Sequence, residues 1–347
     1  MKVRLCLILL ALALLLAACG AESAESAPAP SPVETEAPEE TLPPAEEHLL
    51  PDLDLEQSQA MARFLNANRA LLLDGRLYCY DFGPEWTPVL ARYTWTQGTL
   101  KGFTVLAEGC IPEYLCSDGE HLFYIDRSSG AIERVPEKGG KRELLREGPC
   151  EGLALRDGRL YFRDGEGRFL SIDVDGKDET ELLPGPCSFA YPLAGAILYR
   201  ADKDGGRLHL YREESGADEA LTAGPASTPL IFDGRLWYDD GSALCSVDLD
   251  LLDEARTELP ERDGAVELLP EEAGLSLRVF RDEHGPHQWA GAPEGPFREE
   301  ARGYRICDWL GGGVRVDTVY EPDGRIRCFL LTDDEGAEIS FLAGRTN

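Results

Sequence analysis

The chain reads as an all-β protein, a β-propeller of seven four-stranded blades preceded by a lipoprotein signal peptide and a disordered Pro/Glu-rich tether. Three observations predict this. The first is an Asp-Gly pair that returns between short apolar runs. Asp74-Gly75, Asp118-Gly119, Asp157-Gly158 and Asp233-Gly234 are separated by 44, 39 and 76 residues, the last a doubled step. Ala194-Gly195 sits midway through that double step, and Ala273-Gly274 and Gly312-Gly313 continue the phase. The second is a Gly-Pro pair before a small residue: Gly148-Pro149-Cys150, Gly185-Pro186-Cys187 and Gly224-Pro225-Ala226. The third is a sharp change of composition near residue 50. A period of about 40 residues built from short strands is the mark of a propeller rather than of one continuous core.

The third repeat shows the elements in order. Leu153–Arg156 is a short strand, Asp157-Gly158 a tight turn, and Arg159–Arg163 the second strand. Asp164–Gly167 turns again, Arg168–Asp173 is the third strand, Asp175-Gly176 the next turn, and Glu179–Leu183 the fourth strand. Asp-Gly favours type I′ hairpins because both central residues must take positive φ. The same cut elsewhere places blade boundaries near residues 66, 110, 150, 187, 227, 265 and 304. Pro293, Pro296 and many charges interrupt the pattern in the sixth blade. Each blade is apolar on both faces and buries them only against its neighbours around an axis. Residues 52–65, before the first blade, suit either a short helix across the end or an outer strand on the last blade. Leu53, Leu55, Met61 and Leu65 do not choose between them.

The N-terminus carries its own signals. Lys2 and Arg4 precede the apolar run Leu5–Leu16, the layout of a secretory signal, too short for a membrane span. The stretch Leu16-Ala17-Ala18-Cys19-Gly20 resembles the bacterial lipobox. That resemblance implies cleavage before Cys19 and a diacylglyceryl group on its thiol, with residues 1–18 removed. Two acyl chains anchor where one does not. Residues 19–50 are dominated by Ala, Glu, Pro, Ser and Thr, and have too little apolar surface to offset the entropy of ordering. They are expected to tether a domain spanning 51–347 to the outer face of a membrane.

The formal charge is −30, and about −24 falls on the domain once the signal and the tether glutamates are set aside. Such a balance argues against nucleic acid and against anionic headgroups as partners. It suits a cationic or neutral partner, or solubility alone. Of ten cysteines, Cys6 lies in the signal and Cys19 is the lipidation site. Cys110, Cys150 and Cys187 recur at steps of 40 and 37, as small buried residues filling one repeated slot. Cys110 and Cys116 are near enough in sequence to bridge locally, and no pair has a zinc-site spacing.

At Leu160-Tyr161-Phe162 and Phe169–Gly176 the chain resembles two propeller groups, the low-density-lipoprotein-receptor-related and the TolB-like repeats. Leu221-Thr222 preserves the Leu-Thr blade ending of the latter, and Tyr93-Thr94-Trp95-Thr96 is a partial echo of the receptor strand Tyr-Trp-Thr-Asp. With its tether the chain is most similar to bacterial lipoproteins carrying a receptor-like propeller, a resemblance that implies a fold and not an activity.

Candidate chemistry is sparse. His284 and His287, beside Asp282 and Glu283, form the one local group of ligand types, in what reads as a polar hairpin; His121 and His209 lie in strands. Asp173–Asp178 and Asp202–Gly205 superficially suggest calcium loops but lack the required order of ligands. Trp86, Trp95 and Trp289 lie near turns, where they suit either the rim of a sugar or peptide site or packing between blades. No catalytic residue, cofactor or metal site is assigned. The expected function is a monomeric, lipid-anchored extracytoplasmic module binding a protein, peptide or glycan across one end of the channel. The alternatives are a surface hydrolase or lyase using channel carboxylates, and a scaffold for cell-envelope assembly.

Overall fold

The computed structural model describes residues 50–342, apart from positions 84, 86, 97–98, 249–253, 260–265, 272–273, 281–286, 293–297, 302–304, 312–313, 321–325 and 334–337. The chain falls into two units, 1–47 and 48–347, and the described residues belong to the second. The signal segment, Cys19 and all of the tether but Leu50 lie outside the described residues.

The described strands gather into seven four-stranded antiparallel sheets spanning 70–108, 112–146, 150–181, 187–220, 227–258, 266–301 and 305–342. In every sheet, neighbouring strands follow chain order. The first-to-second hairpins therefore all emerge at one end of the sheets, here the hairpin end. The second-to-third turns and the links between sheets emerge at the other, the link end.

Local chemistry accounts for the hairpins. Asp74 and Gly75 take φ of 47° and 70°, Asp157 and Gly158 of 49° and 73°, and Asp233 and Gly234 of 51° and 67°, as a type I′ turn requires. Asp118-Gly119 differs: the Asp118 carboxylate instead accepts from the Glu120 and His121 N–H groups, at 2.8 and 2.7 Å.

Period-two alternation then decides which side chains meet. In the second sheet, Leu122 and Tyr124 pack against Tyr78, Leu90 and Cys110 on one side. Phe123 and Ile125, the residues between and after them, pack against Cys150, Leu160 and Phe162 of the third sheet on the other. Ile197 and Tyr199 of the fourth sheet likewise meet Phe169, while Leu198 turns to Leu230 and Leu236 of the fifth. Both faces of each of these sheets are thus buried, at about 25 cal/mol per Å² of apolar area removed from water. Cys110, Cys150 and Cys187 occupy the repeated buried slot as free thiols; Cys116 is also free, so no Cys110–Cys116 bridge forms.

Residues 55–65 form a helix, α1 (Leu55–Leu65), and not an outer strand. Its start is a capping box: the Asp54 carboxylate accepts from Gln57 N–H at 2.8 Å, and Gln57 Oε1 accepts from Asp54 N–H at 3.0 Å. The helix packs on the first strands of the third, fifth, sixth and seventh sheets. The Phe64 ring meets Tyr114 of the second sheet at 5.7 Å, and Phe189 and Tyr191 of the fourth at 6.0 and 5.0 Å. Gln59 Nε2 donates to Pro270 O of the sixth at 3.2 Å. Only an element on the common axis touches the first strands of so many sheets. The first strand of the seventh sheet also lies against that of the first sheet, which closes the circle. The domain is a β-propeller with α1 in its central channel.

Candidate functional site

The link end is organised by one repeated residue. Counting from the start of the second strand, the sixth residue is Asp81, Asp126, Asp164 or Asp240 in the first, second, third and fifth sheets. In the last three of these the carboxylate ties down the turn after it. Asp126 accepts from Ile111 N–H at 3.0 Å and from Ser128 Oγ at 2.7 Å. Asp164 accepts from the Glu166 and Arg168 N–H groups, both at 3.0 Å, and from Arg168 Nη2 at 2.6 Å. Asp240 accepts from the Ser242 and Ala243 N–H groups at 2.8 and 2.7 Å and from Arg256. Burial works against the charge on all three, yet these donors hold each carboxyl below its ordinary pKa. Many of the abundant carboxylates are therefore turn-formers.

The fifth position of the same strand varies. It is Arg163 in the third sheet, Arg200 in the fourth and Asp239 in the fifth. Arg163 pairs with Glu151 on its own first strand at 2.5 Å and donates across the seam to Cys187 O at 3.1 Å. Arg200 Nε donates to Ser188 Oγ at 2.6 Å, on its own sheet, and Ser188 in turn donates to Asp202. The seam between the fourth and fifth sheets opens at the link end into a cleft of about 340 Å³. Arg200, Asp202 and Gly206 line it from one side, and Pro225, Ser227 and Asp239 from the other. Asp239 is only 5% exposed, and its Oδ1 accepts from Gly241 N–H at 2.8 Å.

The residues singled out in the sequence are dispersed. His209 is braced between Asp204 at 2.8 Å and Asp218 at 3.1 Å, with Tyr199 OH donating to the same Asp218 at 2.8 Å, so it serves its strand. Burial, then Asp218, pushes the Tyr199 hydroxyl pKa up. His121 lies beside Asp118 and Phe123. Asp173 accepts from the Asp175 and Lys177 N–H groups at 2.9 and 2.8 Å, a turn and not a calcium loop. Asp202–Asp204 is a single 3₁₀ turn. Trp95 packs against the core of the first sheet. Trp86, His284 and the side chains of His287 and Trp289 lie outside the described residues, as does Cys19. Among the described residues, no three His, Cys, Asp or Glu side chains gather to hold a metal ion. No described helix is long and apolar enough to cross a membrane.

No family model matches the chain, and neither does any curated protein. Solved structures do. A puromycin-hydrolyzing peptidase of Mycobacterium tuberculosis matches with a TM-score of 0.55 at 14% identity, over 86% of this chain and 55% of that one. BamB from Moraxella catarrhalis matches with a TM-score of 0.46 at 12% identity, over 74% and 91% of the two chains. TolB from Acinetobacter baumannii matches at 0.41 and 15%, over 65% and 63%. The likeness is one of fold. The chain spans about half the length of the peptidase it matches, and identity at this level carries no activity across.

Proposed function

We propose that the chain is a monomeric extracytoplasmic binding module, lipid-anchored through Cys19, that engages a protein, peptide or glycan at the link end of its propeller. The observation that carries the reading is the cleft between the fourth and fifth sheets, beside an axis that α1 already fills. A ligand at that end meets a recess at a seam rather than an open channel. Asp126, Asp164 and Asp240 are engaged by the turns they form, which leaves these three to hold the link end rather than to act on a substrate. The lipobox-like stretch ending in Cys19 and the acidic surface support placement outside the membrane with a non-nucleic-acid partner.

Two measurements test this together. Cys19→Ala should move the protein from the membrane to the soluble fraction, and continued retention defeats the anchor. A photo-crosslinking residue at position 202, at the link end, should give discrete adducts in intact cells. One at position 157, whose native side chain is 82% exposed at the hairpin end, should not. Equal labelling from both ends, or none from position 202, rejects the link end as the binding face.

A further inference from the structure

The ring has one seam that the chain does not cross. Each sheet is completed by four consecutive strands before the chain passes to the next, so backbone joins neighbours from the first sheet through to the seventh. Among the described residues, no strand of the seventh sheet pairs with the first, and those two sheets meet without a shared ladder. Parting them breaks no strand pairing and stretches no connection between sheets, which makes this the least costly place for the ring to open. The element that bridges the seam is α1. We propose that α1 is the clasp of the propeller: it holds the seventh sheet against the first, and its release opens the ring at that seam while the other six stay shut.

The clasp has a grip on each side. On one, residues 66–69 lead from α1 straight into the first sheet and are fastened to the second. Leu115 N–H donates to Asn68 O at 3.2 Å, Asn68 Nδ2 donates to Leu115 O at 2.9 Å, and Arg69 pairs with Glu113 at 2.6 Å. Tyr80 N–H of the first sheet donates to Arg69 O at 2.9 Å. On the other side, Met61 and Ala62 are buried in the cluster that holds Leu230 and Leu236 of the fifth sheet and Leu268 of the sixth. Gln59 adds its bond to Pro270 O, and the helix lies against the first strand of the seventh sheet. Buried apolar area on one short helix thus ties the beginning of the ring to its end, where a shared strand would otherwise have to do so.

Buried native thiols report the seams separately. Tyr78 packs on the second sheet, and Cys79, the next residue, lies with Ala70, Leu77, Val89 and Ala91 on the opposite face of the first sheet, turned toward the seventh. Cys150 is buried between the second and third sheets, and Cys245 shares a cluster with Met61 itself. The test alkylates the full chain with iodoacetamide under native conditions and reads each cysteine by peptide mass spectrometry. Met61→Ala should speed labelling of Cys79 by about tenfold or more, as loss of a buried side chain that holds an opening shut does. Cys150 should keep its parent rate, and Cys245 should gain less than Cys79. Gln59→Ala, which removes the bond to Pro270 O, should speed Cys79 by about threefold and serves if Met61→Ala fails to fold. Equal gains at all three thiols mean global unfolding, and a gain at Cys245 as large as that at Cys79 means a local cavity. Either result overturns the clasp, as does a Cys79 rate unchanged in both variants.

Discussion

The seam between the second and third sheets and the seam between the fourth and fifth are built from the same local sequence, yet one is locked and the other gapes. At the first, Gly148 lies so near the preceding turn that a methyl group on it would sit 2.4 Å from Gly130 C and 2.5 Å from Ser129 O. At the second, a methyl group on the equivalent Gly224 would meet nothing within 4 Å. The opening grows along the chain. A methyl group on the turn glycine would fall 2.9 Å from Pro149 at Gly130, 3.2 Å from Pro186 at Gly167 and 3.7 Å from Pro225 at Gly206. All three seams still share one backbone link, from Cys150, Cys187 or Ala226 N–H to the O of that glycine, at 2.8, 2.9 and 3.0 Å. The seams share that link and differ around it.

Cations tie the tighter seam. Arg134 reaches Val174 O and Asp175, both at 2.8 Å, and Arg146 pairs with Glu179 at 2.8 Å while its guanidinium lies over the Phe162 ring at 4.9 Å. At the seam between the fourth and fifth sheets, Arg200 donates to Ser188 Oγ on its own sheet, and the cleft opens there. Stacked repeats need every interface to pack, but not equally well, and the slackest interface is where a site can form without dismantling the wheel.

The largest effect expected from this contrast is steric. Gly148→Ala forces backbone atoms apart at the locked seam and should cost about 2–3 kcal/mol, as overpacking does. Gly224→Ala should change stability by no more than about 0.5 kcal/mol. Urea unfolding of the two variants side by side measures both. Equal losses would mean that the two seams are equally tight in solution.

What could be read from the chain depends on how local each cause is. The Asp-Gly turns at 74, 157 and 233 need only their own two residues, so they were legible. Cys110, Cys150 and Cys187 were legible because period two and a repeat near 40 residues bring one slot back to the same buried place. The first strands begin at 70, 112, 150, 187, 227, 266 and 305, within four residues of the boundaries the repeat predicts. The place of α1 was not legible. Its buried residues, Ser58, Gln59, Met61, Ala62 and Phe64, mix polar with apolar because their partners are scattered over six sheets distant in sequence. The room for Phe64 depends on Gly152, where an added methyl group would stand 3.0 Å from Cζ of the ring. The cleft was hidden for another reason. Its lining, from Arg200 to Gly241, comes from two sheets that meet only when stacked, so no local pattern marks it.

Acid should act next, and on both seams. Asp126 and Asp164 belong to the second and third sheets and Asp240 to the fifth, and all three have pKa values held below the ordinary carboxylate range. A group whose folded pKa is depressed stabilises the native state above its unfolded pKa, near 3.9 for aspartate, and that contribution fades as pH falls through the folded value. Stability to urea should therefore decline as pH drops below about 4–5. Asp126→Asn and Asp240→Asn should each flatten the decline, since asparagine does not titrate. A decline unchanged by either variant would show that other carboxylates set the acid limit.

The smallest change asks most directly whether cations make the seams differ. Arg146 at the tighter seam pairs with Glu179 and lies over the Phe162 ring, whereas Arg200 lines the cleft at the open seam and its Nε is engaged by Ser188 Oγ on its own sheet. Arg200→Ala should therefore shift unfolding free energy by no more than about 1 kcal/mol, and Arg146→Ala by more than Arg200→Ala does. Urea unfolding of the two variants checks the order. Equal losses would mean that cations do not distinguish the seams, and the opening would then have to come from the Gly-Pro link, where Pro225 stands farther from Gly206 than Pro149 does from Gly130.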